Sequence, residues 1–124
     1  HDAVKKTRGL VGTVAIFDLT TKMWRICGVG NINTKMGNAK SLRNYMPYNG
    51  IIGLNLPNTL NAQEINYESG QQLIMTSDGL KTRWDIAKYP AISRYDLSIP
   101  AAILLKDFAR NTDDMSVIAC KINL

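Results

Sequence analysis

Two acidic sites in the sequence stand where carboxylates can do chemistry. Asp78 follows the apolar stretch Leu73–Thr76, and Asp113-Asp114-Met115 immediately precedes the apolar run up to Cys120. An acidic residue at a strand end is held by a rigid scaffold while its carboxylate faces solvent. Hard divalent cations such as magnesium and manganese take several oxygen ligands of this kind and leave the remaining positions to water. Two metals bridged by carboxylates position and deprotonate a water for in-line attack on a phosphoryl group. Each site also has a plainer reading. An Asp-Gly pair such as Asp78-Gly79 is ordinarily a turn, and an Asp-Asp pair before a strand is ordinarily a polar turn or an edge guard. Neither supports a metal claim in isolation.

The elements that must position these residues are legible from the apolar pattern. Gly9–Asp18 places Val11, Thr13, Ala15 and Phe17 on one face and Val14 and Ile16 on the other, which predicts a strand covered on both sides. The polar turn Leu19–Lys22 leads into a second strand over Met23–Val29, the two forming an antiparallel hairpin. Gly28, Gly30 and Asn31 then break the pattern, as a bend, a bulge or a close backbone approach would. Ile32–Leu60 is rich in Asn, Gly and Pro with short apolar islands, as short strands and loops would be. Leu73–Thr76 is a compact strand. Ser98 is placed to cap a helix running through Arg110, with Pro100 in its first turn and Ala101, Leu104, Leu105 and Phe108 on its apolar face. Met115–Cys120 closes the chain as a strand. No repeat or low-complexity linker divides the sequence, so a single mixed α and β domain over residues 1–124 is expected.

Composition narrows the classes. Of the 124 residues 45% are hydrophobic and 20% charged, a globular balance that predicts a packed core. No apolar run approaches the roughly 20 residues of a membrane helix, and the basic start His1–Arg8 has no apolar signal-peptide core behind it. Cys27 and Cys120 have no second cysteine nearby, so zinc spacing is absent. Two buried, reduced thiols of a cytoplasmic protein are expected, with a disulfide between them as the alternative. The formal charge of +5 comes from scattered residues, among them Lys5, Lys6, Arg8, Lys22, Arg25, Lys35, Lys40, Arg43, Lys81 and Arg83. No aromatic platform interleaves them, which argues against nucleic acid and for a solvated surface, one able to attract an acidic or phosphorylated partner. His1, the sole histidine, is terminal, so no Ser/His or Cys/His pair can be built on a fixed scaffold. Gly28-Val29-Gly30-Asn31 lacks the spacing of phosphate and dinucleotide loops. Trp24 and Trp84 are expected to be packing residues.

The segments KKTRGLVGTVAIFD, ICGVGNI, NGIIGLN, LIMTSDGL and ARNTDDMSVIAC, in that order, resemble the type 2C metal-dependent protein phosphatases. The closest branch is that of the bacterial sporulation and stress-response enzymes, SpoIIE/RsbX-like, over their C-terminal part. The resemblance implies an α+β fold, the α-β-β-α sandwich of that family, incomplete at the N-terminus. It implies a two-metal manganese or magnesium site, with Asp78 and Asp113 as ligands and Asp114 as the fallback for the second position. It also implies hydrolysis of phosphoserine or phosphothreonine on a signalling protein, such as an anti-sigma-factor antagonist, by metal-activated water. Members carry an earlier Asp-Gly-rich metal motif, whereas the only Asp-Gly here is Asp78-Gly79; Asp2 and Asp18 read as surface residues. The resemblance assigns no general acid. This piece is therefore expected to be inactive alone, and to self-associate or pair with a separate N-terminal piece through an uncovered sheet edge. The alternative is a non-catalytic module that binds a phosphorylated or acidic partner.

Overall fold

The structure, a computed structural model, describes residues 1–38, 41–81, 96–111 and 114–124. Its elements in chain order are a 3-10 turn at Asp2–Val4, then β1 (Gly12–Asp18), β2 (Met23–Val29), β3 (Asn33–Asn38), β4 (Ser41–Tyr45), β5 (Gln63–Asn66), β6 (Gln72–Thr76), α1 (Ser98–Phe108) and β7 (Val117–Lys121). They group into two compact units: His1–Ile32 with Met46–Tyr67, and Asn33–Tyr45 with Glu68–Leu124. The class is α+β with two antiparallel sheets, as expected. No helix among the described residues is long and apolar enough to cross a membrane.

In the first unit β1 and β2 form the expected hairpin, with Ala15 opposite Ile26, and β5 pairs with the far side of β2. The turn is fixed by Asp18, whose Oδ1 accepts from the Thr20 and Thr21 amides at 2.8 and 3.2 Å. Lys22 adopts the left-handed conformation that closes the loop, at φ 54°. Alternation along β2 buries Trp24 and Ile26 and exposes Arg25, which reaches Glu64 on β5 at 3.3 Å, and Val29 at the strand end is buried as well. Phe17 stacks obliquely on Trp24 at 5.1 Å and meets Tyr67 edge-on at 5.8 Å, so the turn end of the hairpin holds an aromatic cluster.

Three expectations need correction here. β1 is not covered on both sides: among the described residues it is an edge strand, and Val14 and Ile16 are 61% and 59% exposed. A continuous apolar run is equally compatible with a strand covered on one face. Cys27 and Cys120 are free thiols but partly exposed rather than buried. His1, although terminal, is fixed, because its Nδ1 accepts the Gly53 amide at 2.9 Å. The glycine bend after β2 does mark close approach. A side chain at Gly28 would collide with Thr13, and Gly30, at φ 108°, leaves no room for one beside Val11.

The second unit is a four-stranded antiparallel sheet in the order β4-β3-β6-β7, in register at Lys35, Ile74 and Ala119. Helix α1 packs on this sheet. Ile74, Leu80 and Leu104 are buried together, with Leu42, Ile103, Leu105, Phe108, Val117 and Ala119 around them. Burying each large aliphatic side chain stabilises by about 1.5–3 kcal/mol, so this cluster is the principal anchor of the helix. The helix start differs from expectation. Ser98 is its first residue rather than its cap; the cap position falls on Leu97, and Asp96 just before it accepts the Ser98 amide at 2.9 Å. That bond holds the Asp96 carboxyl below its ordinary pKa. The helix stops where Ala109 turns extended and bridges to Leu80.

Candidate metal centre at the end of strands β6 and β7

β6 and β7 are antiparallel, with Thr76 opposite Val117. Asp78 therefore leaves the sheet two residues after the end of one strand, and Asp114 enters it three residues before the start of the other, at the same end. Both are exposed. The junction is closely tied. The Ser77 amide donates to the Ser116 carbonyl at 3.0 Å, and the Ser77 hydroxyl accepts the Ser116 amide at 2.8 Å. Gly79 is buried beneath the Asp114 backbone, and any Cβ at Gly79 would collide with the Asp114 carbonyl oxygen. The glycine of the Asp-Gly pair is thus required by the approach of the second acidic segment, not only by a turn.

The end of α1 completes the junction. The Arg110 amide donates to the Gly79 carbonyl at 2.8 Å, and the Arg110 Nε to the Leu80 carbonyl at 3.3 Å. The Lys81 amide donates to the Phe108 carbonyl at 2.8 Å. Three chain segments, residues 77–81, 108–110 and 114–116, are therefore locked together around the acidic turn.

Asp78 and Asp114 both carry carboxylates at this exposed sheet end, the ligand type that hard divalent cations such as magnesium and manganese prefer. Among the described residues no group of three or more His, Cys, Asp or Glu is gathered closely enough to hold a metal ion. Asp113, the expected partner of Asp78, lies outside the described residues, as does Trp84. Trp24 is a buried packing residue, as expected. Sequence reading missed Ser77, Ser116 and Arg110. Arg110 lies inside one of the family-like segments, but a cation at the end of a helix reads simply as a partner of the helix dipole.

No protein-family model and no curated protein matches the chain by sequence. Solved structures do. A chain from a structure of the bacterial stressosome, described as a modular system adapted to control secondary messenger signaling, is 27% identical and superposes with a TM-score of 0.79 over 91% of this chain and 59% of that one. RsbX in complex with magnesium is 21% identical, with a TM-score of 0.73 over 95% and 58%. The phosphatase domain of the cell fate determinant SpoIIE from Bacillus subtilis is 19% identical, with a TM-score of 0.68 over 99% and 62%. The chain thus spans 58–62% of the length of these structures. Its fold is that of the type 2C phosphatase domains, of the SpoIIE/RsbX-like kind.

Proposed function

We propose that this chain is part of a metal-dependent serine/threonine protein phosphatase that removes phosphate from a signalling protein. The observation that carries this reading is the junction of the Asp78 turn with the Asp114 segment at one end of a type 2C phosphatase fold. Similar structures include a magnesium complex of RsbX and a manganese-presoaked form of the SpoIIE domain, which supports divalent metal at the equivalent centre. Asp78 and Asp113 would hold the metal, with Asp114 taking the second position if its carboxylate turns inward. The bound ions supply activation of a water for in-line attack on the phosphoryl group. The protein's part is placement: the Ser77–Ser116 bonds and the Gly79 contact hold the two acidic segments at a fixed separation. No side chain here is assigned as general acid.

The substrate proposed is a phosphoserine or phosphothreonine protein of a cytoplasmic signalling pathway, of the anti-sigma-factor-antagonist type. Similarity to a stressosome chain supports a signalling partner. A non-catalytic module that binds a phosphorylated or acidic partner is the second reading, and the formal charge of +5 fits it.

Manganese-dependent hydrolysis of a phosphoserine peptide by the natural full-length protein, and by its Asp78→Asn variant, tests the first reading. A loss of about a hundredfold or more in the variant is expected from removing a metal ligand. Equal turnover by both proteins overturns it. Phosphopeptide binding without turnover favours the binding module.

A further inference from the structure

The side chain of Arg110 is held against the acidic turn by a bond unrelated to any carboxylate. Its backbone amide sits 2.8 Å from the Gly79 carbonyl, and its Nε donates to the Leu80 carbonyl at 3.3 Å. Root and Nε are therefore both fixed to the two residues that follow Asp78. Among the described residues the ion pairs are Lys5–Asp2, Arg25–Asp18 and Arg25–Glu64, so this guanidinium has no carboxylate counter-ion there. A guanidinium anchored through Nε keeps its two terminal amino groups as a planar fork, the geometry that grips two oxygens of a phosphate.

Electrostatics gives the fork a task. A phosphate monoester dianion approaching Asp78 and Asp114 meets like charge, and a cation anchored to the two residues that follow Asp78 offsets that repulsion while setting the orientation of the phosphoryl oxygens. We propose that Arg110 binds the phosphate group of the substrate, using the fork left free by its bond to Leu80. This rests on the reading of the Asp78 junction as a phosphatase centre. It adds a recognition residue, on the segment after α1, that is separate from the metal ligands. Arg110 takes no part in bond making. It holds the oxygens of a phosphoryl group that the metal site attacks.

The test uses two probes on the natural full-length protein, inorganic phosphate and manganese. Phosphate affinity is measured by calorimetry in metal-free buffer, and manganese affinity by electron paramagnetic resonance, for wild type, Arg110→Ala, Arg110→Lys and Asp78→Asn. Loss of a charge-assisted bidentate contact predicts that Arg110→Ala weakens phosphate binding about tenfold or more. Arg110→Lys, which keeps the charge but not the fork, restores it only in part. Manganese binding stays unchanged in both Arg110 variants and is lost in Asp78→Asn, whose phosphate affinity is undiminished. Phosphate affinity within about twofold of wild type in Arg110→Ala, or no phosphate binding by wild type, overturns the proposal. If Arg110→Ala fails to fold, the same criterion applies to Arg110→Lys. Manganese binding that survives Asp78→Asn overturns the metal reading alone, and the phosphate affinities still decide the role of Arg110.

Discussion

Gly79 lies directly beneath the backbone of Asp114, so close that the smallest side chain at position 79 would collide with the Asp114 carbonyl oxygen. The obstacle is main chain, which cannot rotate aside. Gly79→Ala must therefore push the Asp114 segment away from the Asp78 turn, straining the paired Ser77–Ser116 bonds next to it. We expect a destabilisation of about 1–3 kcal/mol, as for other forced overpacking, measured by urea denaturation. Manganese affinity should fall by more than the stability loss explains. A Gly79→Ala protein with wild-type stability would show that the two segments are not held in contact.

Binding of manganese at this junction should also stabilise the fold, because a ligand that binds only the native state raises its stability by mass action. The expected result is a Tm that climbs with manganese concentration in wild type and stays flat in Asp78→Asn. Asp114→Asn separates the two assignments for the second position. If it leaves the climb intact, Asp113 is the ligand. A metal-induced rise that survives in Asp78→Asn would count against the centre altogether.

How far the sequence reveals this architecture depends on the pattern in each segment. The β1–β2 hairpin reads directly, because two apolar runs, Val11–Phe17 and Met23–Val29, flank one short polar turn. β6, α1 and β7 read nearly as well, since each carries its own apolar signature. β3 is harder: Asn33–Asn38 reads NTKMGN, and its polar residues sit in a strand only because β4 and β6 pair with it on either side. Ser98 is a good cap former by type, yet the cap position falls on the apolar Leu97, which local sequence preference does not select. In the candidate centre, Asp78 and the Asp113-Asp114 pair stand out in the sequence by their places beside apolar runs, and sequence does not choose within the pair. The contact over Gly79 and the grip of Arg110 on Leu80 are tertiary, joining residues 35 and 30 positions apart, and no local pattern encodes them.

The Asp18 carboxyl should contribute to acid lability. Amide donation from Thr21 and then Thr20 lowers its pKa below the ordinary carboxylate value. A carboxyl whose folded pKa is depressed adds stability above its unfolded pKa of about 3.9, and that stability is lost as pH falls through the lower folded value. Asp18→Ala should therefore lower Tm at neutral pH, and the gap to wild type should close in acid. Asp18→Asn, which keeps an acceptor for the turn but no charge, should fall between them. A gap that persists unchanged at the lowest pH would mean that the turn is held by something other than the charged carboxylate.

The edge strand β1 carries the last expectation, that the 124-residue chain associates with itself. Gly12–Phe17 contains no charged residue and no proline, and among the described residues β1 is paired on the β2 side only. Edges of this kind template further strands, which natural proteins commonly block with lysine, proline or a bulge. The sequence is also self-complementary. Two β1 strands running antiparallel about Ala15 would set Val14 of each opposite Ile16 of the other, joining residues that are 61% and 59% exposed in one chain. Size-exclusion chromatography with light scattering should show a concentration-dependent species above 13.8 kDa. Mass spectrometry would distinguish a second copy from a separate N-terminal piece of the same protein seated on that edge. Ile16→Lys should restore the monomer with stability changed by no more than about 0.5 kcal/mol, as for an exposed position. A wild-type chain that stays monomeric at every concentration, with no bound peptide, would show that β1 does not template association.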